Sequence, residues 1–297
     1  MQNELEKSFL SATKNNSILI ICGPTASGKT KASIELATQY KNTVIVNLDA
    51  YQVYKDIPIC SASPTQYERS LVEHQLFNYI DYDQAYSVGL YLEDLDQTLH
   101  SIYSNQKIPI LVGGSSLYIY SVINGLRKNI SVPLDVRTLA KIKLSTITDP
   151  HEYVKSILPL SFQADFDMRI HKNDLHRITR VFEFFIYTSG YLFDGSLINQ
   201  RLNWKFEIFK IIAERQIAYD RADARVLQMI YNDDAIKEIK RLVPVWENCK
   251  SIKTTLLAKE IYSYLNDEIS LEQAISLGQC NTRKFIKKQL TWLRNKI

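Results

Sequence analysis

Cysteine is scarce, with four in 297 residues. Cys22, Cys60, Cys249 and Cys280 stand far apart, with no CxxC pair and no histidine at ligand spacing, which argues against a disulfide framework and a zinc site. The five histidines show no nucleophile or metal spacing either. Nine glycines and eight prolines are too few for a collagen-like or low-complexity chain. No apolar run approaches the roughly 20 residues that a bilayer span requires. Met1 to Ser17 is polar and has no apolar leader core, so the chain is expected to be unprocessed, cytoplasmic and off the membrane.

What is present fits a globular enzyme-sized chain. Hydrophobic residues make up 45% and charged residues 23%, enough to bury a sizeable core. At about 100–200 residues per domain, the length argues for two domains or for one with an insertion. The net charge of +4 conceals an asymmetry. Residues 281–297 carry Arg283, Lys284, Lys287, Lys288, Arg294 and Lys296 with no acid, leaving −2 for the rest. A basic stripe on a near-neutral body reads equally as a polyanion site or as a solvated helix face.

The first half alternates apolar runs with helical patterns. Residues 17–22, 43–48 and 108–112 read as strands buried on both faces, while 29–40 and 87–104 read as helices. Parallel strands need such crossovers, so the expected core is a parallel α/β sheet. From about Gly125 the β-rich pattern stops and the remainder reads as helical. Residues 174–187 place Ile178, Val181, Phe182, Phe185 and Ile186 on one face, with Arg177 and Arg180 on the other. Ile286, Leu290, Leu293 and Ile297 mark a final amphipathic helix. The expected organisation is an α/β core from 1–124 and 206–297 interrupted by a helical insertion at 125–205.

The strongest local signal is Gly23, Pro24, Thr25, Ala26, Ser27, Gly28, Lys29 and Thr30, which fits GxxxxGK followed by Thr, between a strand and a helix. Such a P-loop turns backbone N–H groups around a phosphate at a helix N-terminus; Lys29 adds a point charge, and the Thr30 hydroxyl suits Mg²⁺. The motif leaves open whether the ligand is ATP, GTP or another diphosphate ester. Asp49 ends the second strand, where ligands of parallel sheets sit. There it can hold Mg²⁺, act as a general base or cap a helix. Gly113, Gly114 and Ser115 end another strand, where backbone can approach a ligand closely and Ser115 can hydrogen-bond a reacting oxygen.

Taken together, six segments resemble the bacterial tRNA dimethylallyltransferase (tRNA isopentenyltransferase) family over nearly the whole chain. They are GPTASGKT at 23–30; DAYQVYKDIPICSASPT at 49–65, similar to DSxQVYxGxDIGTAKPT; His74 with Tyr86 and Ser87; VGGSSLY at 112–118; NDLHRITRVFE at 173–183; and TRKFIKKQLTWLR at 282–294. The resemblance implies a P-loop NTPase-like fold. It also implies transfer of a dimethylallyl group from dimethylallyl diphosphate to N6 of the adenosine 3′ of the anticodon, with release of diphosphate and help from Mg²⁺. The P-loop would grip the diphosphate without ATP hydrolysis, Asp49 would be the base and Ser115 would contact the reacting centre. Arg215, Arg221 and Arg225 match an arginine-rich helix that helps hold diphosphate. Matching tRNA-contacting positions are Asp49, Ala50, Tyr51, Gln52, Ser115, Arg137, His176, Arg177, Ile178, Thr179, Arg180, Lys287, Lys288, Gln289, Leu290, Thr291, Trp292, Leu293 and Arg294. The partner would be the tRNA anticodon stem-loop, approached by a monomer.

The chain departs from this pattern at several positions. Ala50 replaces Ser, Ser61 and Ser63 replace Thr and Lys, Ser115 replaces Thr, His176 replaces Gln, and Leu257-Ala258 stand for Gly-Tyr. Two other readings therefore accompany the first: a P-loop small-molecule or nucleotide kinase, and a tRNA-binding homologue with impaired catalysis.

Overall fold

The computed structural model describes residues 1–127, 132–193, 199–200 and 202–297; residues 128–131, 194–198 and 201, within the expected insertion, lie outside the described residues. Helix α1 (Gln2–Lys14) leads into β1 (Ile18–Cys22), and α2 (Lys29–Gln39) crosses to β2 (Thr43–Asn47). A short helix α3 (Gln66–Leu71) and strand β3 (Glu73–Gln75) follow, then α4 (Val88–Ser104), β4 (Ile108–Gly113) and α5 (Ser116–Asn124). Next come β5 (Leu126–Arg127), α6 (Leu134–Ser145), α7 (Pro150–Ile157), α8 (Leu160–Arg169), α9 (Leu175–Thr188) and β6 (Asn199–Gln200). Strand β7 (Phe206–Lys210) precedes α10 (Arg215–Tyr231), α11 (Ala235–Leu242), α12 (Ala258–Leu265) and α13 (Leu271–Asn295).

Two compact units result: Met1–Asn124 with Arg201–Ile297, and Gly125–Gln200. In the first, five parallel strands run in the order β3-β2-β4-β1-β7. Every residue of β1 and β2 is buried, as their unbroken apolar runs require of strands covered on both faces. Helix α1 covers one face through Leu5, Phe9 and Ala12. A second core joins α10, α11, α12 and α13 to the loop after β2, through Val53, Ile57, Val226, Ile239 and Ile275.

The expectation that everything after Gly125 is helical fails at β7, which pairs in parallel with β1 from Ile18↔Phe206 to Cys22↔Lys210. The reason is its place at the sheet edge: Phe206–Lys210 is only partly buried, so Glu207 and Lys210 can interrupt its apolar residues.

The second unit packs α6, α7, α8 and α9 around Ala140, Val154, Phe166, Ile178, Val181 and Phe182, closed by the antiparallel β5–β6 pair. Ile186, expected on the buried face of α9, is 41% exposed, since the apolar stripe drifts round by the last turn.

Candidate active site

The first unit holds a cavity of about 470 Å³ above the C-terminal ends of β1, β2 and β4. It is lined by the P-loop, Asp49, Tyr51, Gln52, His74 and Gly113, and by Arg221 and Arg225 from α10. Parallel sheets place ligands there because the loops leaving the strand ends face one crevice. Gly28 has φ +92°, a left-handed conformation that glycine adopts without a Cβ clash, and it turns the chain into α2. Lys29 reaches back to the Pro24 carbonyl at 2.7 Å. Burial pushes its ammonium down to about 8, against the pull of Asp49 and with the push of Arg225.

Asp49 is aimed by its neighbours. Asn47, fully buried at the end of β2, accepts the Asp49 N–H at 2.9 Å and donates to the carbonyls of Asp49 and Leu76. The Tyr91 hydroxyl donates to the Asn47 carbonyl at 2.8 Å. A carboxylate oxygen of Asp49 accepts the Tyr51 N–H at 3.0 Å. Burial raises the Asp49 carboxyl above the ordinary range; the Tyr51 amide, Lys29, the Ser115 hydroxyl and the Gln52 amide oppose that shift. Ser115 accepts the Ala50 N–H at 2.9 Å while its own proton serves Asp49. A half-buried, partly hydrogen-bonded carboxylate beside a lysine of lowered pKa is an arrangement suited to proton transfer next to an anion site.

For a divalent cation, the oxygen donors beside the P-loop are the Thr30 hydroxyl and the Asp49 carboxylate. The Thr30 hydroxyl takes no hydrogen bond from the described residues, and with Asp49 it faces the same cavity. No cluster of three or more histidine, cysteine or acidic residues that could hold a metal occurs among the described residues. Those two hard donors beside the P-loop fit Mg²⁺, which keeps waters and takes phosphate oxygens as ligands.

The structure does not gather every site residue expected from sequence. Arg221 and Arg225 line the cavity, whereas Arg215, two turns earlier on α10, does not. Burial lowers Arg225. Ser115 lies behind Asp49, outside the lining. On α13, Lys287, Lys288, Thr291 and Arg294 are exposed and Trp292 is half-buried, but Gln289, Leu290 and Leu293 are buried at 3%, 3% and 2% exposure. On α9, His176 and Arg177 are exposed, while Ile178 is buried in the core. Leu290, Leu293 and Ile178 hold the helices in place and do not line the cavity, whereas Gln289 borders it. In the second unit the Arg137 Nε is buried without a partner, and Arg180 meets Glu183 at 3.2 Å.

Sequence reading missed three contributors. Asn47 was signalled only as a polar residue in an otherwise apolar strand. Glu238 of α11, buried at 5% exposure, accepts the N–H groups of Ile59 and Cys60 at 2.7 and 2.8 Å and so fixes the loop that lines the cavity at Cys60, Ser61 and Ala62. Thr255, from the segment before α12, turns a buried hydroxyl without a partner toward the same cavity.

The IPP transferase family profile matches residues 52–296, beginning after the P-loop. The chain is similar to proteins named tRNA dimethylallyltransferase from Ehrlichia canis (36% identical, covering 94% of this chain and 92% of the relative) and Wolbachia pipientis (37%, covering 94% and 93%). A solved tRNA isopentenylpyrophosphate transferase from Bacillus halodurans superposes with a TM-score of 0.66 at 29% identity, covering 95% of this chain and 88% of that one. A eukaryotic dimethylallyltransferase acting on tRNA shares the fold at a TM-score of 0.72 and 23% identity, covering 94% and 70%. With the profile spanning most of the residues and relatives above 30% identity along nearly the full length, the chain belongs to the IPP transferase family.

Proposed function

We propose that the protein transfers a dimethylallyl group from dimethylallyl diphosphate to N6 of the adenosine 3′ of the anticodon in tRNA, releasing diphosphate. The observation that carries the reading is the meeting of the P-loop, Lys29, Arg221 and Arg225 with the half-buried carboxylate of Asp49 in one cavity. The relatives' names point to the same reaction. Breaking the allylic C–O bond leaves charge on the diphosphate, which the loop amides, Lys29 and the two arginines hold. The new bond forms between the allylic carbon and N6, and the proton lost from N6 passes to Asp49. Ser115 and the Tyr51 amide hold the Asp49 carboxylate in place for that transfer.

Thr30 would hold Mg²⁺, which would supply further charge neutralisation on the diphosphate. The target base leaves its stack to enter the cavity at a cost of a few kcal/mol, offset by contacts to the RNA backbone. Arg137, His176, Arg177, Thr179 and Arg180, together with Lys287, Lys288, Thr291, Trp292 and Arg294, make those contacts. On this reading the protein works as a monomer in the cytoplasm.

The test is incubation with Mg²⁺, labelled dimethylallyl diphosphate and an anticodon stem-loop, followed by digestion to nucleosides. Label in N6-dimethylallyl-adenosine, lost in Asp49→Ala, is the expected result. ATP turnover without RNA, or stem-loop binding without product, would overturn it.

A further inference from the structure

Gln289 sits on the buried face of α13, and both ends of its carboxamide have partners. Its Oε1 accepts the P-loop N–H of Thr25 at 2.9 Å, and its Nε2 donates to the carbonyl of Gly114 at 2.8 Å. A Cβ on Gly114 would stand 2.8 Å from that Nε2, 2.8 Å from the Gly23 carbonyl oxygen and 3.5 Å from Lys29 Nζ. The helix, the P-loop and the loop after β4 therefore converge on one point. The next residue after Gly114 is Ser115, which serves Asp49. Only a side chain of this length that offers one acceptor and one donor can tie both loops at once.

We infer that Gln289 is a positioning residue, setting the separation between the diphosphate-holding loop and the loop that orients Asp49, rather than an RNA contact. It borders the cavity, but its Oε1 and Nε2 are both engaged by protein backbone rather than left free for a ligand. It acts on Thr25 from one side and on Gly114 from the other, so losing it lets the anion site drift relative to the base. This rests on the proposed reaction only for its turnover readout; binding of inorganic diphosphate tests it independently.

The experiment uses the full chain and its Gln289→Met and Gln289→Glu variants, measuring inorganic diphosphate affinity by calorimetry, stem-loop affinity, and kcat for prenyl transfer. Displacement by about 1 Å costs on the order of a hundredfold in rate, so kcat falls by about that factor in Gln289→Met. Diphosphate affinity weakens about tenfold through the same displacement, while stem-loop affinity stays within about twofold. Gln289→Glu keeps the shape but, when ionised, has no proton for Gly114; its diphosphate affinity relative to wild type recovers as pH falls and the carboxyl regains a donor. Packing alone would not produce that pH-dependent ratio. Weakened stem-loop binding with unchanged diphosphate affinity would overturn the inference in favour of an RNA contact. Equal defects in both variants at every pH would reduce Gln289 to packing. A wild-type protein that binds diphosphate but makes no prenylated RNA would refute the proposed function, and the diphosphate comparison would still decide the role of Gln289.

Discussion

Leu257 offers a sharp test of how this chain accommodates a departure from its family's pattern. It stands where the resemblance places glycine, and its backbone has φ +70° and ψ −28° at the start of α12. For a leucine the left-handed region costs about 1–2 kcal/mol. Its side chain, 1% exposed, lies in the helical core with Cδ1 only 2.7 Å from where a Cβ on Gly278 would be. Burial of a leucine contributes about 1.5–3 kcal/mol, which offsets the strain.

Leu257→Ala retains the strain and loses the packing, for a loss of about 2–5 kcal/mol. Leu257→Gly removes one more carbon but also the strain, and should equal Leu257→Ala or exceed it in stability by up to about 1 kcal/mol. At an unstrained position the order would be reversed, with glycine about 0.5–1 kcal/mol the less stable. Gly278→Ala extends the test: with Leu257 present it overfills the notch and costs about 1–3 kcal/mol. With Leu257→Ala it has room, and the helix gains about 0.8–1 kcal/mol. Urea unfolding midpoints at unchanged slope measure all four variants. A glycine variant clearly weaker than the alanine variant, or additive effects of Leu257→Ala and Gly278→Ala, would refute the reasoning.

The kcat/KM profile should be bell-shaped. Activity rises as Asp49 ionises above the ordinary carboxylate range and falls above about 8 as Lys29 loses its proton; a flat profile through pH 8 would count against Lys29 as the anion holder. In thermal melts the signs differ. Between about 8 and its ordinary value of 10.5, Lys29 binds more protons unfolded, so its contribution raises stability with pH; the raised Asp49 carboxyl lowers stability as pH climbs through its own window. Asn47→Ala leaves the Leu76 and Asp49 carbonyls without their donor and costs about 1–3 kcal/mol in urea unfolding, with a drop in kcat; wild-type kcat would mean that Asp49 needs no such support. Glu238→Leu frees the amides of Ile59 and Cys60 and costs about 1–3 kcal/mol, with faster hydrogen exchange at those two sites; unchanged exchange there would contradict the tie.

The parts legible in sequence are those dictated by local pattern. Residues 18–22, 43–47 and 108–113 read as buried strands because both faces are covered, and the P-loop declares itself by spacing alone. Asp49 was found because strand ends point at ligands. β7 escaped because an edge strand need not be uniformly apolar. Gln289 was expected among the RNA contacts beside Lys287 and Lys288; that its carboxamide instead meets the backbone of Thr25 and Gly114 depends on loops far away in sequence. Leu257 looked like a plain loss of glycine; the compensating gap at Gly278 lies on another helix, a relation no sequence spacing encodes.

The place of β7 beside β1 has a consequence for synthesis. The ribosome delivers the strands from Ile18 to Gly113 early, but Phe206 emerges only after the whole intervening unit has been made. At about 5–20 residues per second, β1 waits roughly 5–20 s with one apolar edge unpaired. During that interval the nascent chain carries a row of open hydrogen-bonding groups on its most buried strand, the kind of edge to which other chains add. Slow translation through residues 125–200 should therefore lower the soluble yield, and any element that covers that edge in the interim should restore it.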